Sequence, residues 1–250
     1  MNVSLYQAAA AMNATARWQD MISENLAASS VPGSRKQDVT FSSIEAGMPS
    51  GTLGLNGQRF SIPSARTGTN FSQGQMLPTG VATDFAIDGP GFFQVQLPSG
   101  DTGFTRNGTF QLNAQGQLVT QQGYPVASES GGPLQLDPTN PAPMTVSASG
   151  DVTQGNEARG KIRMAEFADQ HQLTVMGGGY FLNGNPAVKP ESAKISQLRQ
   201  GFIEQGNSSP TTEMAGLITA MRLFESNQKV LQMQDDRMGR VITDLGGTGQ

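Results

Sequence analysis

The chain has 250 residues, a formal net charge of -4 and no cysteine. Charged residues make up only 14% of it, while 36% hydrophobic residues are enough for a core. This composition excludes disulfides and thiolate metal sites, and scattered lysines and arginines predict no nucleic-acid binding. We also expect no membrane-spanning helix and no cleavable signal peptide, because neither an unbroken apolar stretch nor a basic leader with an apolar core is present.

The first predicted element is an N-terminal helix that ends near residues 29–30, because Pro32 and Gly33 cannot continue it. Small and apolar side chains recur along it at alternating spacings of four and three residues. This stripe includes Leu5, Met12 and Leu26. Because one helix cannot bury such a stripe alone, it requires a partner surface.

After this helix the sequence predicts an extended arm with short strands over residues 31–80, and then a β domain over residues 81–208. The arm mixes Thr, Ser, Gly and Pro with isolated hydrophobic residues. In the β domain, short apolar runs with period-two character alternate with turn signals, which favours an antiparallel sheet or barrel. The turn signals are Asp88-Gly89, Pro98-Ser99-Gly100, Asn107-Gly108, Asn113-Ala114-Gln115-Gly116, Gln122-Gly123 and Asn183-Gly184.

The last predicted element is a long helix that begins near Glu213 and is capped by Thr212. Its apolar positions form an a/d seam typical of a coiled coil. The seam contains Leu217, Met221, Phe224, Leu231, Met238, Ile242 and Leu245, and is interrupted by Gln228 and Asp235. With the N-terminal stripe it predicts a discontinuous helical domain of residues 1–30 and 209–250, and an α+β fold class overall. An amphipathic helix docked on its own globular core is the alternative.

Short patterns that resemble catalytic or cofactor motifs are better explained as turns. Asp101-Thr102-Gly103 matches the aspartic protease triplet but follows a predicted hairpin tip. Gly89-Pro90-Gly91 begins like a dinucleotide fingerprint, yet the third glycine and the helix are missing. The only histidine is His171, and a catalytic triad built on it would lack a nucleophile-elbow sequence. Asp84 and Asp88 are expected to bond turn amides. The sequence therefore predicts no enzyme, no cofactor and no small-molecule substrate.

Several ordered blocks resemble the flagellar hook and basal-body rod proteins. The central blocks cover residues 84–95, 104–113 and 116–126, and another covers residues 201–207 and leads into Glu213-Met214. Asn25-Leu26-Ala27 also fits the N-terminal motif of that family. The blocks therefore cover both ends and the middle of the chain, and leave residues 35–80 and 130–195 without support.

Within that family the chain is most similar to the proximal rod protein. Arg222-Leu223-Phe224-Glu225, Lys229-Val230 and Gly239-Arg240 favour the proximal rod, whereas Gly91-Phe92-Phe93-Gln94-Val95 favours the distal rod. In the N-terminal motif, the family's Asn, Thr and Phe are replaced by Ala28, Val31 and Ser34. A distal rod subunit, a hook subunit and a monomeric secreted β binding module remain alternatives.

The resemblance implies a mechanical subunit of the periplasm-spanning rod, which transmits torque and leaves an axial channel. It implies partners among other rod and hook subunits, and export through the flagellar type III apparatus. The residues expected to hold the assembly together are Leu5, Met12, Leu26, Leu217, Met221, Phe224, Leu231, Met238, Ile242 and Leu245. A charge placed at Leu231 is expected to block assembly and to leave the β domain folded.

Overall fold

The fold is that of a computed structural model, which describes residues 3–46, 60–185 and 188–246. Within these ranges the chain forms two α-helices, one short 3-10 helix and seventeen strands, which confirms the predicted α+β class. Neither helix is apolar enough over its length to cross a membrane. The side chains of Leu5, Ile242 and Leu245 lie outside the described part.

The helices are α1 (Val3–Ala28) and α2 (Pro210–Gly246), and the 3-10 helix is Gln170–Gln172. The first nine strands are β1 (Gln37–Ala46), β2 (Phe60–Thr69), β3 (Met76–Pro78), β4 (Phe85–Asp88), β5 (Phe92–Gln96), β6 (Thr102–Thr105), β7 (Phe110–Leu112), β8 (Leu118–Thr120) and β9 (Met144–Val146). The remaining strands are β10 (Asp151–Gln154), β11 (Glu157–Lys161), β12 (Met164–Glu166), β13 (Leu173–Gly177), β14 (Tyr180–Asn183), β15 (Glu191–Ser192), β16 (Gln197–Gln200) and β17 (Phe202–Glu204).

The helix ends follow local sequence signals. α1 stops at Ala28, close to the predicted end, and the Val31 N–H donates to the Ala28 carbonyl at 2.9 Å in the turn that follows. α2 begins at Pro210, so the predicted start near Glu213 is wrong by one turn. Proline suits the first helical position because its missing N–H would have had no partner there. Glu213 lies in the first turn, where a carboxylate is favourable.

The described residues fall into two compact units. The helical unit comprises those of Met1–Leu26, Gln37–Gly68 and Pro210–Gln250, and the β unit comprises those of Ala27–Lys36 and Thr69–Ser209. The chain therefore passes between the two units four times. The predicted division into 1–30 with 209–250, 31–80 and 81–208 stays a prediction for the assembled subunit.

The helical unit contains α1, α2 and the two-stranded sheet of β1 and β2. These two strands have ten residues each and are longer than the short strands expected in the arm. The core of the unit is small, with Met21, Ile22 and Ala220 buried and Trp18, Val39 and Leu217 packed partly buried against them. The Trp18 ring also meets Phe41 edge-on, with centroids 5.7 Å apart.

The β unit is built from antiparallel pairs, as the period-two pattern predicts. Its largest sheet has the order β13-β14-β6-β5-β12-β15, and a second sheet has the order β11-β10-β9. The pairs β16-β4, β17-β3 and β7-β8 complete the described sheets. The predicted turns at Pro98-Ser99-Gly100 and Asn113-Ala114-Gln115-Gly116 are confirmed, because Gly100 (φ 86°) and Gly116 (φ 76°) adopt a conformation that favours glycine. A barrel is not shown.

Strand alternation divides the apolar residues of the β unit between two cores. Phe92 and Phe93 are adjacent in β5, so their side chains point to opposite faces of the six-stranded sheet. Phe93 joins the larger core with Phe85 and Phe110, and Phe92 joins a smaller aromatic core with Phe104. Both faces of the sheet are therefore fixed by packing, which gives the β unit one definite strand register.

Candidate assembly interface

One face of α2 packs within its own chain. Leu217 is partly buried and packs against the small core of Met21 and Ile22 from α1 and Ala220 from α2. Half-buried or buried positions then continue along α2 at alternating spacings of three and four residues, which is the spacing of a coiled-coil seam. These positions are Leu217, Ala220, Phe224, Asn227, Leu231 and Gln234. The structure thus places Leu217, Phe224 and Leu231 on one face of α2, and their role in a seam between subunits stays a prediction.

The predicted seam members between these residues lie elsewhere. Met221 is 52% exposed and Met238 is 45% exposed, whereas Ala220 takes the buried position beside Met221. Met221 instead lies in line with the exposed Met214 and Ile218, at helical spacings of four and three residues. We name Met214, Ile218 and Met221 the outer stripe of α2. It is an apolar surface that the described residues of the single chain leave uncovered.

The predicted interface residues of α1 differ in how much the structure describes of them. Met12 and Leu26 are half-buried, and the Leu5 side chain lies outside the described part. The assembly role of all the predicted residues stays a prediction, because a single chain has no neighbouring subunit against which to judge it.

A buried asparagine joins the end of α1 to the start of β1. The Asn25 Nδ2 group donates to the Gln37 carbonyl at 2.8 Å, and the Gln37 N–H donates to Asn25 Oδ1 at 2.8 Å. Asn25 Nδ2 also lies 3.5 Å from Glu213 Oε2 in the first turn of α2. Asn25 and Glu213 are both only 3% exposed, so these bonds tie three elements of the helical unit together.

In the β unit, Glu204 lies between two buried arginines. Its Oε1 atom is 2.8 Å from Arg35 Nη1, an ion pair whose angles fall outside those of a hydrogen bond, and its Oε2 atom accepts from Arg106 Nη1 at 3.3 Å. Arg106 also donates to the Gly89 carbonyl at 2.6 Å, and its guanidinium lies 4.9 Å from the centroid of the Phe92 ring. Burial, together with the charge of Arg35, lowers the pKa of Arg106 to about 10, although Glu204 opposes this shift.

The residues that were weighed as parts of catalytic or cofactor motifs have ordinary structural surroundings. Asp101 is exposed, follows the turn at Pro98-Ser99-Gly100 and accepts from the Ser99 hydroxyl at 2.8 Å. His171 is exposed in the 3-10 helix and its N–H donates to Asp169 Oδ1. Asp88 pairs with a surface arginine rather than with a turn amide. Across the described residues, no group of three acidic or histidine side chains is placed to hold a metal ion.

The sequence reasoning did not select Asn25, Glu204 or Asn207 as functional residues. All three stand inside the blocks that carry the family resemblance, and each bonds to residues far away in the chain. Their signal in the sequence is weak, because a single polar residue in a turn or at a strand end has many ordinary explanations.

Comparisons with known proteins match both units. The flagellar hook protein FlgE/F/G D1 domain family matches residues 86–154, and the flagellar basal body rod FlgEFG protein C-terminal family matches residues 199–244. The flagellar basal-body rod protein FlgF of Mesorhizobium japonicum is 32% identical, over 98% of this chain and 99% of its own length. FlgF of Caulobacter vibrioides is 30% identical, over 98% of this chain and 99% of its own length. FlgG of Borreliella burgdorferi is 31% identical over 94% of this chain and 96% of its own length.

Proposed function

Because this chain belongs to the flagellar basal-body rod protein family and is a structural rod subunit, we propose that it polymerises through its terminal helices to transmit torque and enclose an export channel. The resemblance to the proximal rod protein is confirmed by the FlgF relatives. We infer that the chain has no catalytic activity, since its relatives are structural proteins. Export through the type III apparatus and a periplasm-spanning position remain part of this proposal.

The observation that carries the proposal is the outer stripe of α2. Met214, Ile218 and Met221 are 53%, 55% and 52% exposed, although they occupy one line along a helix. Burial of apolar surface is favourable by roughly 25 cal/mol per Å², so a neighbouring helix that covers this stripe gains free energy. The inner face of α2 is already used by α1, which leaves the outer stripe for contact with other subunits. Terminal coiled coils between subunits are the arrangement that we propose.

The test introduces a charge into the outer stripe. Met221→Glu should leave the isolated chain folded, because the side chain is exposed, and should prevent incorporation into the rod. Gln232→Glu is the matched control, since it adds the same charge at an exposed polar position of α2. The measurement is the amount of this chain in purified basal bodies, by mass spectrometry against its axial neighbours. Normal incorporation of Met221→Glu would contradict the proposal.

The same preparation tests the position in the axis. A low copy number at the inner end of the rod supports the proximal assignment, whereas a higher copy number indicates the distal rod or the hook. Absence of the unsubstituted chain from basal bodies would contradict the rod function and favour the secreted binding module.

A further inference from the structure

A cleft of about 680 Å³ lies against the six-stranded sheet of the β unit. Its size suits a small molecule or a short peptide segment. Its lining includes the apolar residues Phe104, Leu182 and Pro190 and the polar residues Gln94, Thr102 and Arg163. The cleft therefore offers an apolar wall and hydrogen-bonding groups to the same ligand.

Strand pairing places Gln94 and Arg163 next to each other in this cleft. Gln94 of β5 lies opposite Phe104 of β6, and its N–H donates to the Arg163 carbonyl at 3.2 Å, immediately before β12. Residues directly opposite in an antiparallel pair share one face of the sheet, with Cβ atoms about 4.5–5.5 Å apart. The Arg163 guanidinium and the Gln94 amide can thus reach one ligand group together.

Arg163 differs from the other arginines of the β unit in its lack of an ionic partner. The other four form ion pairs with carboxylates, and these are Arg35, Arg106, Arg159 and Arg199. Arg163 is half-buried, and no carboxylate of the described residues pairs with it. A guanidinium that has lost part of its water gains from a carboxylate, which it can bind through two nitrogens.

The side-chain amide of Gln94 has no bond to hold it. Its Oε1 atom is buried and has no hydrogen-bond partner within the described part of the chain. A buried polar atom without a partner costs free energy, so most such atoms in proteins are bonded. The amide can turn, and its two N–H groups are suitable donors to a carboxylate bound at Arg163.

The other polar residues of the cleft are already engaged. Asp101 accepts from the Ser99 hydroxyl at 2.8 Å and lies exposed at the rim. The Asn183 Nδ2 group donates to the Val188 carbonyl at 2.6 Å, and Val188 packs against the smaller aromatic core. This bond fixes one wall of the cleft. The charge of Asp101 favours a ligand with a single acidic group, placed at Arg163 and away from the rim.

We propose that this cleft receives a polypeptide segment of a neighbouring axial subunit, with a carboxylate of that segment bound by Arg163 and Gln94 and an adjacent apolar side chain packed against Phe104 and Leu182. Charge complementarity determines the chemistry of the partner, because the unpaired cation beside an apolar wall matches an acidic residue next to an apolar one. This inference rests on the proposed function, since assembly in the rod supplies the neighbouring subunits. It gives the β unit a contact of its own, in addition to the outer stripe of α2.

The test is a site-specific cross-link in purified basal bodies. The photoreactive residue p-benzoylphenylalanine replaces Thr102, which is exposed at the cleft. After irradiation, mass spectrometry should identify a cross-linked peptide from an axial subunit, with an aspartate or glutamate beside an apolar residue. Basal bodies that contain the chain but give no cross-link to an axial subunit would overturn the inference. A cross-linked peptide without an acidic residue would overturn it as well.

Substitutions of Arg163 in the same background test the assigned chemistry. The cross-link yield per copy of the chain should fall about tenfold or more in Arg163→Glu, because attraction to the carboxylate becomes repulsion. Arg163→Lys keeps the charge and should retain most of the yield. Lys194→Glu is the matched control, since it reverses a charge on a side chain that is 75% exposed and should leave the yield unchanged. An undiminished yield in Arg163→Glu would overturn the role of Arg163.

A neutral variant and the copy number separate the remaining outcomes. Arg163→Gln removes the charge without reversing it, so it replaces Arg163→Glu if near-UV circular dichroism shows that the latter does not fold. Its cross-link yield should also fall, and an unchanged yield would overturn the inference. Absence of the unsubstituted chain from basal bodies would contradict the proposed function and this inference with it. Normal copy number without the cross-link would overturn the inference alone.

Discussion

Replacing Ile22 by alanine should selectively destabilise the helical unit. Ile22 is 2% exposed and belongs to a core with only Met21 and Ala220 fully buried beside it. The change removes three carbon atoms, or about 2.4 kcal/mol at roughly 0.8 kcal/mol per buried carbon, and a residual cavity adds to this loss. The better helix propensity of alanine returns about 0.4 kcal/mol. We therefore expect a loss of about 2–3 kcal/mol in the free energy of unfolding of this unit.

The assay uses the single tryptophan of the chain as a local probe. Trp18 packs against the Ile22 core, so its fluorescence during urea unfolding reports the helical unit alone. The near-UV circular dichroism of tyrosine and phenylalanine reports mainly the β unit, and its midpoint should stay unchanged. Ile195→Ala is the matched control, because Ile195 is 72% exposed and the same truncation there should change stability by less than about 0.5 kcal/mol. An unshifted Trp18 transition in Ile22→Ala would refute the assigned core.

Two further predictions concern the β unit. Gly108→Ala should destabilise it by about 3 kcal/mol or more, because a Cβ atom would stand 1.7 Å from the Phe85 carbonyl oxygen, whereas Gly132→Ala meets nothing within 4 Å and should be nearly neutral in urea unfolding. The Ser149 hydroxyl is the largest of the causes that lower the pKa of Asp151 below its ordinary value of 3.8. The ionised Asp151 carboxylate thus contributes its full stabilisation above pH 3.8, and this stabilisation is lost as the pH falls through the lower pKa of the folded state. Asp151→Asn should therefore weaken the pH dependence of the unfolding midpoint in acid.

Local sequence signals account for the end of the first helix and for many of the turns. Pro32 and Gly33 end the first helix because one restricts the residue before it and the other adopts a positive φ of 69°. Glycine turns separate the β strands because few other residues accept those backbone angles. These signals act over a few residues, so each is visible in a short stretch of sequence. The start of α2 was misplaced because Pro210 was not recognised as a first-turn proline.

The sequence determined only some of the residues on the packed face of α2. Apolar periodicity identified Leu217, Phe224 and Leu231, which are half-buried in the single chain. It could not choose between Ala220 and Met221, because either residue gives an acceptable heptad spacing. Packing decides this, since the small Ala220 lets α1 approach closely, and the larger Met221 remains on the outside.

The sequence by itself therefore determined the element types, the antiparallel character of the β unit, the turns and the family. Only the tertiary structure decided which polar residues are structurally essential. Glu204 meets Arg35 and Arg106 across separations of 169 and 98 residues, and Asn207 meets Lys36 across 171 residues. Contacts of this range leave no periodic trace in a single sequence, because their partners are brought together only when the strands and crossing segments have packed.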